Sequence, residues 1–201
     1  MYIIFEGADG CGKTTLAIKT AEFLKARFVH EPDQEIPSCS ILKDLAFDKN
    51  LKNNTAKELM MLASRCISLE SLNNWRSQNP NVPIVSDRGF LSGFAYSFLS
   101  GGIETSLWWE IFSSFGFKKG LIPNVVVYVT SNTYKAIGRP DKAMDDEYDN
   151  MSEMDREYLN IGFNDILSTL EERGDIKIVR FNNRFDLTVQ ENFDKLIKEI
   201  I

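Results

Sequence analysis

Gly7-Ala8-Asp9-Gly10-Cys11-Gly12-Lys13-Thr14 follows the apolar run Tyr2-Ile3-Ile4-Phe5 by a single residue and fits the pattern G-x-x-x-x-G-K-[ST]. Such a loop works only if a strand feeds it and a helix leaves it. Phosphate oxygens are then held by successive backbone N–H groups at the positive end of the helix. Thr14, Leu16, Ala17, Thr20, Ala21 and Leu24 have the helical spacing that this requires. The motif therefore predicts a buried βα unit that binds ATP through Gly7, Asp9, Gly10, Cys11, Gly12, Lys13, Thr14 and Thr15. In that reading Lys13 reaches the β and γ oxygens and the Thr14 hydroxyl is a ligand of Mg²⁺. Asp9 is out of place in it, a carboxylate among groups that hold anions.

The rest of the chain limits the partners. With 201 residues, 43% of them hydrophobic and 26% charged, it suits one globular domain, residues 1–201. A net charge of −6 argues against a nucleic acid polymer, whose binding calls for a clustered basic surface. Cys11, Cys39 and Cys66 are scattered and His30 is the sole histidine, so neither a disulfide framework nor a zinc site is expected. No signal-peptide pattern and no membrane-length apolar run is visible, which makes the cytoplasm the expected location.

Strands are predicted at 2–6, 82–86, 124–130 and 176–181, with a weaker one at 27–30. Helical patterns separate them, and this alternation is that of an α/β fold: a five-stranded parallel sheet with helices on both faces. Thr55-Ala56-Lys57-Glu58 reads as a capping box, opening a helix to about Trp75 whose apolar face is Leu59, Leu62, Ala63, Cys66, Ile67 and Leu69. Ser152 opens another helix, closed by Gly174, and the last helix is expected at about 186–199. A short helix after Ser131 should end at Gly138. The polar segment that follows, about 138–151, is predicted to be a mobile lid loop.

The chain lacks the Asn-Lys-x-Asp element of GTPases, and no Glu follows Ile84-Val85-Ser86-Asp87 as ATP-hydrolysing motors require. Leu99-Ser100-Gly101-Gly102 imitates a transporter signature, but four common residues carry little weight. Asp87-Arg88 at the carboxyl end of a central strand is more informative, because ligands bind at that edge of doubly wound sheets. Met61 and Arg65, and likewise Ser92 and Tyr96, are four apart on their helices, so each pair can face one cleft. The spacing fits packing residues as well.

Taken in order, Phe5-Glu6-Gly7-x-Asp9-Gly10-x-Gly12-Lys13-Thr14-Thr15, His30-Glu31-Pro32, Leu62-Ala63-Ser64-Arg65, Asp87-Arg88-x-x-x-Ser92-x-x-Ala95-Tyr96 and Pro123-Asn124-Val125-Val126-Val127-Tyr128 resemble the thymidylate kinase family. The resemblance implies transfer of the ATP γ-phosphoryl group to dTMP. It makes Lys13, Arg88 and the lid residue Arg139 catalytic, and Thr14 and Asp87 the Mg²⁺ ligands. Acceptor binding falls to Asp9, Met61, Arg65, Arg88, Ser92 and Tyr96: Arg65 on the base, Tyr96 on the deoxyribose, Asp9 on the 3′-hydroxyl. It also implies a homodimer. Trp108, Trp109, Ile111 and Phe112 suit an interface or a core equally.

The sequence departs from the family pattern at His30, Met61, Gly89 and Gly93. A methionine and a glycine in place of an aromatic and a polar residue suggest a roomier base site, open to a modified pyrimidine or to several deoxynucleotides. A deoxynucleoside kinase on a related scaffold, with Glu6, Asp9 or Glu31 as the base, and a non-catalytic nucleotide-binding ATPase module stay open as alternatives.

Overall fold

A computed structural model describes residues 1–114, 122–131, 151–174 and 176–201. In chain order the elements are β1 (Tyr2–Glu6), α1 (Lys13–Leu24), β2 (Arg27–His30), α2 (Pro37–Ala46), α3 (Asn54–Gln78), β3 (Ile84–Asp87), α4 (Phe90–Ser100), α5 (Thr105–Phe112), β4 (Val125–Thr130), α6 (Glu153–Arg173), β5 (Lys177–Asn182) and α7 (Val189–Ile200). The five strands form one parallel sheet in the order β2-β3-β1-β4-β5. Strands 2–6 and 27–30 are found where the pattern put them, and the other three lie within two residues of their expected ends. Pro83 has no N–H to give, so the β3 ladder opens at Ile84, whose N–H donates to Met1 O at 2.9 Å.

The period of two along each strand sorts the core onto the two faces of the sheet. Ile3, Phe5, Val85, Val127 and Val179 pack with Leu16 of α1 and Leu196 of α7. Tyr2, Ile4, Ile84, Val126 and Tyr128 pack on the opposite face with Leu91 and Phe94 of α4 and with Leu159, Phe163 and Leu167 of α6. The chain leaves β1 toward the first face and β3 toward the second. Their carboxyl ends, side by side through the register Phe5↔Asp87, therefore open a crevice at the switch point of the sheet.

Ser152 caps α6, accepting from Asp155 N, and Gly174 in the left-handed region closes it, as expected. Three expectations need correction. The cap of α3 is Asn53, which accepts from Ala56 N at 2.9 Å, while Thr55 Oγ1 donates to Gly102 O. The last helix starts later, at Val189, behind a true capping box of Thr188 and Glu191. The buried side of α3 is Ser64, Arg65, Ser68 and Leu72, and Leu59 from the expected apolar face is exposed. A polar inward face is stable only where it meets polar partners: Ser64 donates to Cys39 O of α2, Ser68 accepts from Asp33 N and Arg65 donates to Glu31, while Leu62, Leu69, Leu72 and Trp75 of the same helix pack against the core. The short helix expected after Ser131 and most of the lid lie outside the described residues.

Candidate active site

The glycines of the first loop are steric requirements. Gly7 has φ 143°, and a Cβ there would stand 2.2 Å from the carbonyl oxygen of Val129, an atom fixed in β4. Gly12, with φ 86°, is the N-cap of α1, and no side chain caps that helix end. Asn183, just beyond β5, pins the loop from below, its Nδ2 donating to Cys11 O at 2.8 Å. Cys11 is fully buried and burial pushes its thiol up, which leaves it a space-filling residue. Lys13 is buried and folds back over the loop, its Nζ 3.4 Å from Ala8 O and 3.3 Å from Asp9 Oδ1.

Arg88 enters from the neighbouring strand. Its backbone sits at φ 70°, a left-handed conformation that costs a non-glycine residue about 1–3 kcal/mol and that accumulates at functional sites. That turn aims the guanidinium across the crevice. Nη2 donates to Asp9 Oδ1 at 2.6 Å, Nη1 to Ser92 Oγ at 3.0 Å, and the cation lies 5.4 Å from the centre of the Tyr96 ring. Tyr96 Oη donates to the other Asp9 oxygen at 2.9 Å. Burial works against the charge on Asp9, but Arg88 and Lys13 outweigh it and hold the carboxyl well below its ordinary range. Asp9 thus joins the phosphate loop to the arginine that follows β3 and to the tyrosine of α4.

Two buried carboxylates support this arrangement. Glu6 accepts from Ser92 N at 3.1 Å and from Ser92 Oγ at 2.5 Å, and burial pushes its pKa up to about 7. A chain of contacts thereby runs from Glu6 through Ser92 to Arg88. Glu31 accepts from Arg65 Nε at 3.1 Å, which fixes the guanidinium of a residue only 6% exposed. Asp87, fully buried, accepts from His30 Nδ1 at 3.1 Å through Oδ2. Its Oδ1 has no hydrogen-bond partner among the described residues. Burial would raise the Asp87 carboxyl, yet His30, Lys13 and the nearby Thr14 hydroxyl keep it low and ionised. An orphaned carboxylate oxygen beside a hydroxyl is the oxygen donor set that a hard divalent cation takes.

From this point a cavity of about 390 Å³ runs between α2, α3, α4 and α5. Asp9, Met61, Arg65, Arg88, Ser92 and Tyr96 all line it, as do Lys13, Thr14 and Asp87. The structure thus brings every described acceptor and metal candidate to one cleft, while Arg139 lies outside the described residues. Ser92 alone differs in manner, since its hydroxyl serves Glu6 and Arg88. Sequence reasoning missed Lys43 and Phe47 at the α2 wall, Glu58, and the place of Trp108 in the lining. The capping-box reading of Glu58 hid it: its carboxylate accepts from Ser97, Ser100 and Trp108. Gly93 does not enlarge the base site as expected, because the Trp108 ring fills the space beside it.

A parallel sheet whose first strand feeds a glycine-rich phosphate loop, with a cationic second wall over a nucleotide-sized cavity, defines a P-loop nucleotide-binding protein. The family model described as Thymidylate kinase matches residues 5–192, and the chain belongs to that family. A thymidylate kinase from Campylobacter lari is 29% identical over 205 residues, covering 100% of this chain and 99% of the relative. A probable thymidylate kinase from Methanococcus maripaludis is 38% identical over 100 residues, 50% of this chain and 48% of the relative. The chain spans about half the length of that relative and of the one from Sulfurovum, of which 53% is covered. Among solved structures, the thymidylate kinase of Ehrlichia chaffeensis superposes with a TM-score of 0.74 at 19% identity, over 100% of this chain and 98% of that one. That of Candida albicans gives 0.71 at 20% identity, over 99% and 90%. At such identities these two speak for the fold. Among the described residues no helix is long and apolar enough to cross a membrane.

Proposed function

We propose that the chain transfers the γ-phosphoryl group of ATP to the 5′-phosphate of dTMP or a closely related deoxynucleoside monophosphate. The observation that carries this reading is the Arg88–Asp9 contact of 2.6 Å, which sets a cation between the phosphate loop and the cavity beyond it. Lys13 and the N–H groups of the loop hold the donor phosphates. Arg88 sits where it can touch the acceptor's phosphate and the moving group together, and so stabilise charge that spreads over both in the transition state. Asp9 and Tyr96 face the acceptor's sugar, and Arg65, locked by Glu31, faces its base. Thr14 and Asp87 are the residues that would hold Mg²⁺, which would supply positive charge to offset that of the donor phosphates. Arg139 is the further cation that we assign to the lid.

A monophosphate acceptor is favoured over a nucleoside because Arg88 offers the acceptor's phosphate a cation and two of the three carboxylates that could deprotonate a 5′-hydroxyl have both oxygens engaged. Glu6 is bonded to Ser92 and Asp9 to Arg88 and Tyr96, whereas Glu31 is bonded to Arg65 through Oε2 and its Oε1 has no partner among the described residues. The reading carries with it a cytoplasmic enzyme acting as a homodimer. Exposed Phe98, Tyr158 and Ile161 support the latter, as an apolar surface around the contact of α4 with Gly162 of α6. The test is product analysis with ATP and dTMP, thymidine or no acceptor. We expect dTDP with dTMP alone; phosphorylation of thymidine but not dTMP, or hydrolysis indifferent to acceptor, would overturn the reading.

A further inference from the structure

The cavity continues beyond Arg65. Glu58, Met61 and Arg65 share one face of α3, and at 1.5 Å per residue Glu58 stands about 10 Å along the helix from Arg65. There it meets Ser100, at the end of α4 remote from Arg88. Gly93 lets Trp108 form the wall between them. A Cβ at Gly93 would lie 2.7 Å from Trp108 Cη2 and 3.1 Å from Arg65 Nη1. The indole N–H of Trp108 in turn donates to Glu58 Oε2 at 3.4 Å.

This floor holds more acceptors than protons. Ser97 Oγ has one proton between two acceptors, Glu58 Oε2 and Ile103 O, the latter at 2.7 Å. Ser100 Oγ likewise lies between Glu58 Oε1 and Ser97 O. Either hydroxyl can turn to its backbone carbonyl, which leaves the Glu58 carboxylate the other hydroxyl and the Trp108 indole as donors. With about four lone-pair sites and at most these three donors, the carboxylate keeps the capacity to accept one more proton from a ligand that reaches the floor.

We propose that Glu58 determines acceptor specificity. It accepts a hydrogen bond from a donor on the base edge opposite the glycosidic bond: an exocyclic amine at C4, or a hydroxymethyl group at C5, of a pyrimidine deoxynucleoside monophosphate. The proposal rests on the reading of the cleft as a monophosphate acceptor site. A C5 methyl group offers the carboxylate no proton, and a site built to bond a donor discriminates against the analogue lacking it.

The test is kcat/KM at saturating ATP for dUMP, dCMP, dTMP and 5-hydroxymethyl-dUMP, with wild type, Glu58→Met and Glu58→Gln. We expect a preference of at least about tenfold for dCMP over dUMP, assigning the C4 amine, or for 5-hydroxymethyl-dUMP over dTMP, assigning the C5 hydroxyl. Glu58→Met, of similar length without an acceptor, should bring that ratio to within about twofold, and Glu58→Gln, which keeps one carbonyl, should lie between. Both ratios within about threefold in the wild type overturn the proposal without any variant, as does a preference that Glu58→Met leaves intact. Transfer to none of the four monophosphates defeats the acceptor-site reading itself, and this proposal with it.

Discussion

The phosphate loop and the acceptor cleft meet at Asp9 and Arg88, yet they are built from opposite kinds of sequence. The loop is continuous, six residues between one strand and one helix, and its steric needs are met by neighbours that belong to the sheet, such as Val129 O behind Gly7. The cleft is assembled from α2, α3, α4 and α5, and its lining is polar where helices usually present apolar residues. A local site is rigid and intolerant. An assembled one can change its ligand one side chain at a time.

That contrast can be broken first at the loop. Gly7→Ala drives a Cβ into a backbone carbonyl and should cost about 3 kcal/mol or more, seen as a collapse of the melting temperature together with ATP binding. A variant that melts within a few degrees of wild type would show the loop to be less constrained than the geometry says. Asp9→Asn tests the junction. It removes the charge that Arg88 and Lys13 face, and should raise the KM for the acceptor about tenfold while moving that for ATP less than about threefold. Equal changes in both would assign Asp9 to donor and acceptor alike, and a change for ATP alone to the donor side.

Glu6 sharpens the comparison through pH. Its pKa in the folded chain is pushed up to about 7 by burial, against the ordinary 4.5, with Arg88 and Arg65 as the cations facing it. The folded state therefore holds a proton that the unfolded chain releases. Stability from this source is complete below about pH 4.5 and is lost as pH rises to about 7, a change on the order of 3 kcal/mol. Glu6→Gln mimics the protonated form, so the variant's melting temperature should gain on wild type between pH 5 and pH 8. Parallel curves would contradict the shift. The smallest effect belongs to the corrected cap: Asn53→Ala should cost about 1 kcal/mol in denaturant unfolding.

The same contrast governs what could be read in advance. The sheet was legible because its strands are short apolar runs buried on both faces, and the loop because its chemistry is local. The α3 face was misread because hydrophobic periodicity assumes that the inward side is apolar. Ser64, Arg65 and Ser68 turn inward to polar partners instead, with only Arg65 of the three lining the cleft, and Leu59 is left at the surface. α2 went unread for a related reason: it buries only Cys39 and Ala46 and exposes Ile41 and Leu45. The partners of Glu6 and Glu31 are 86 and 34 residues away in sequence, at separations that no local pattern encodes. The Arg65 and Tyr96 assignments came from the family resemblance, since spacing alone does not choose between a cleft residue and an ordinary packing or surface one.

In the proposed reaction Arg88 acts on the acceptor and the transferred group while the loop holds ATP. Arg88→Ala tests it most directly, with kcat/KM for the acceptor and ATP affinity measured on the same preparation. The expected outcome is a loss of about a thousandfold or more in kcat/KM with ATP affinity within about threefold of wild type. A parallel loss of both, or transfer that survives the substitution, would contradict it.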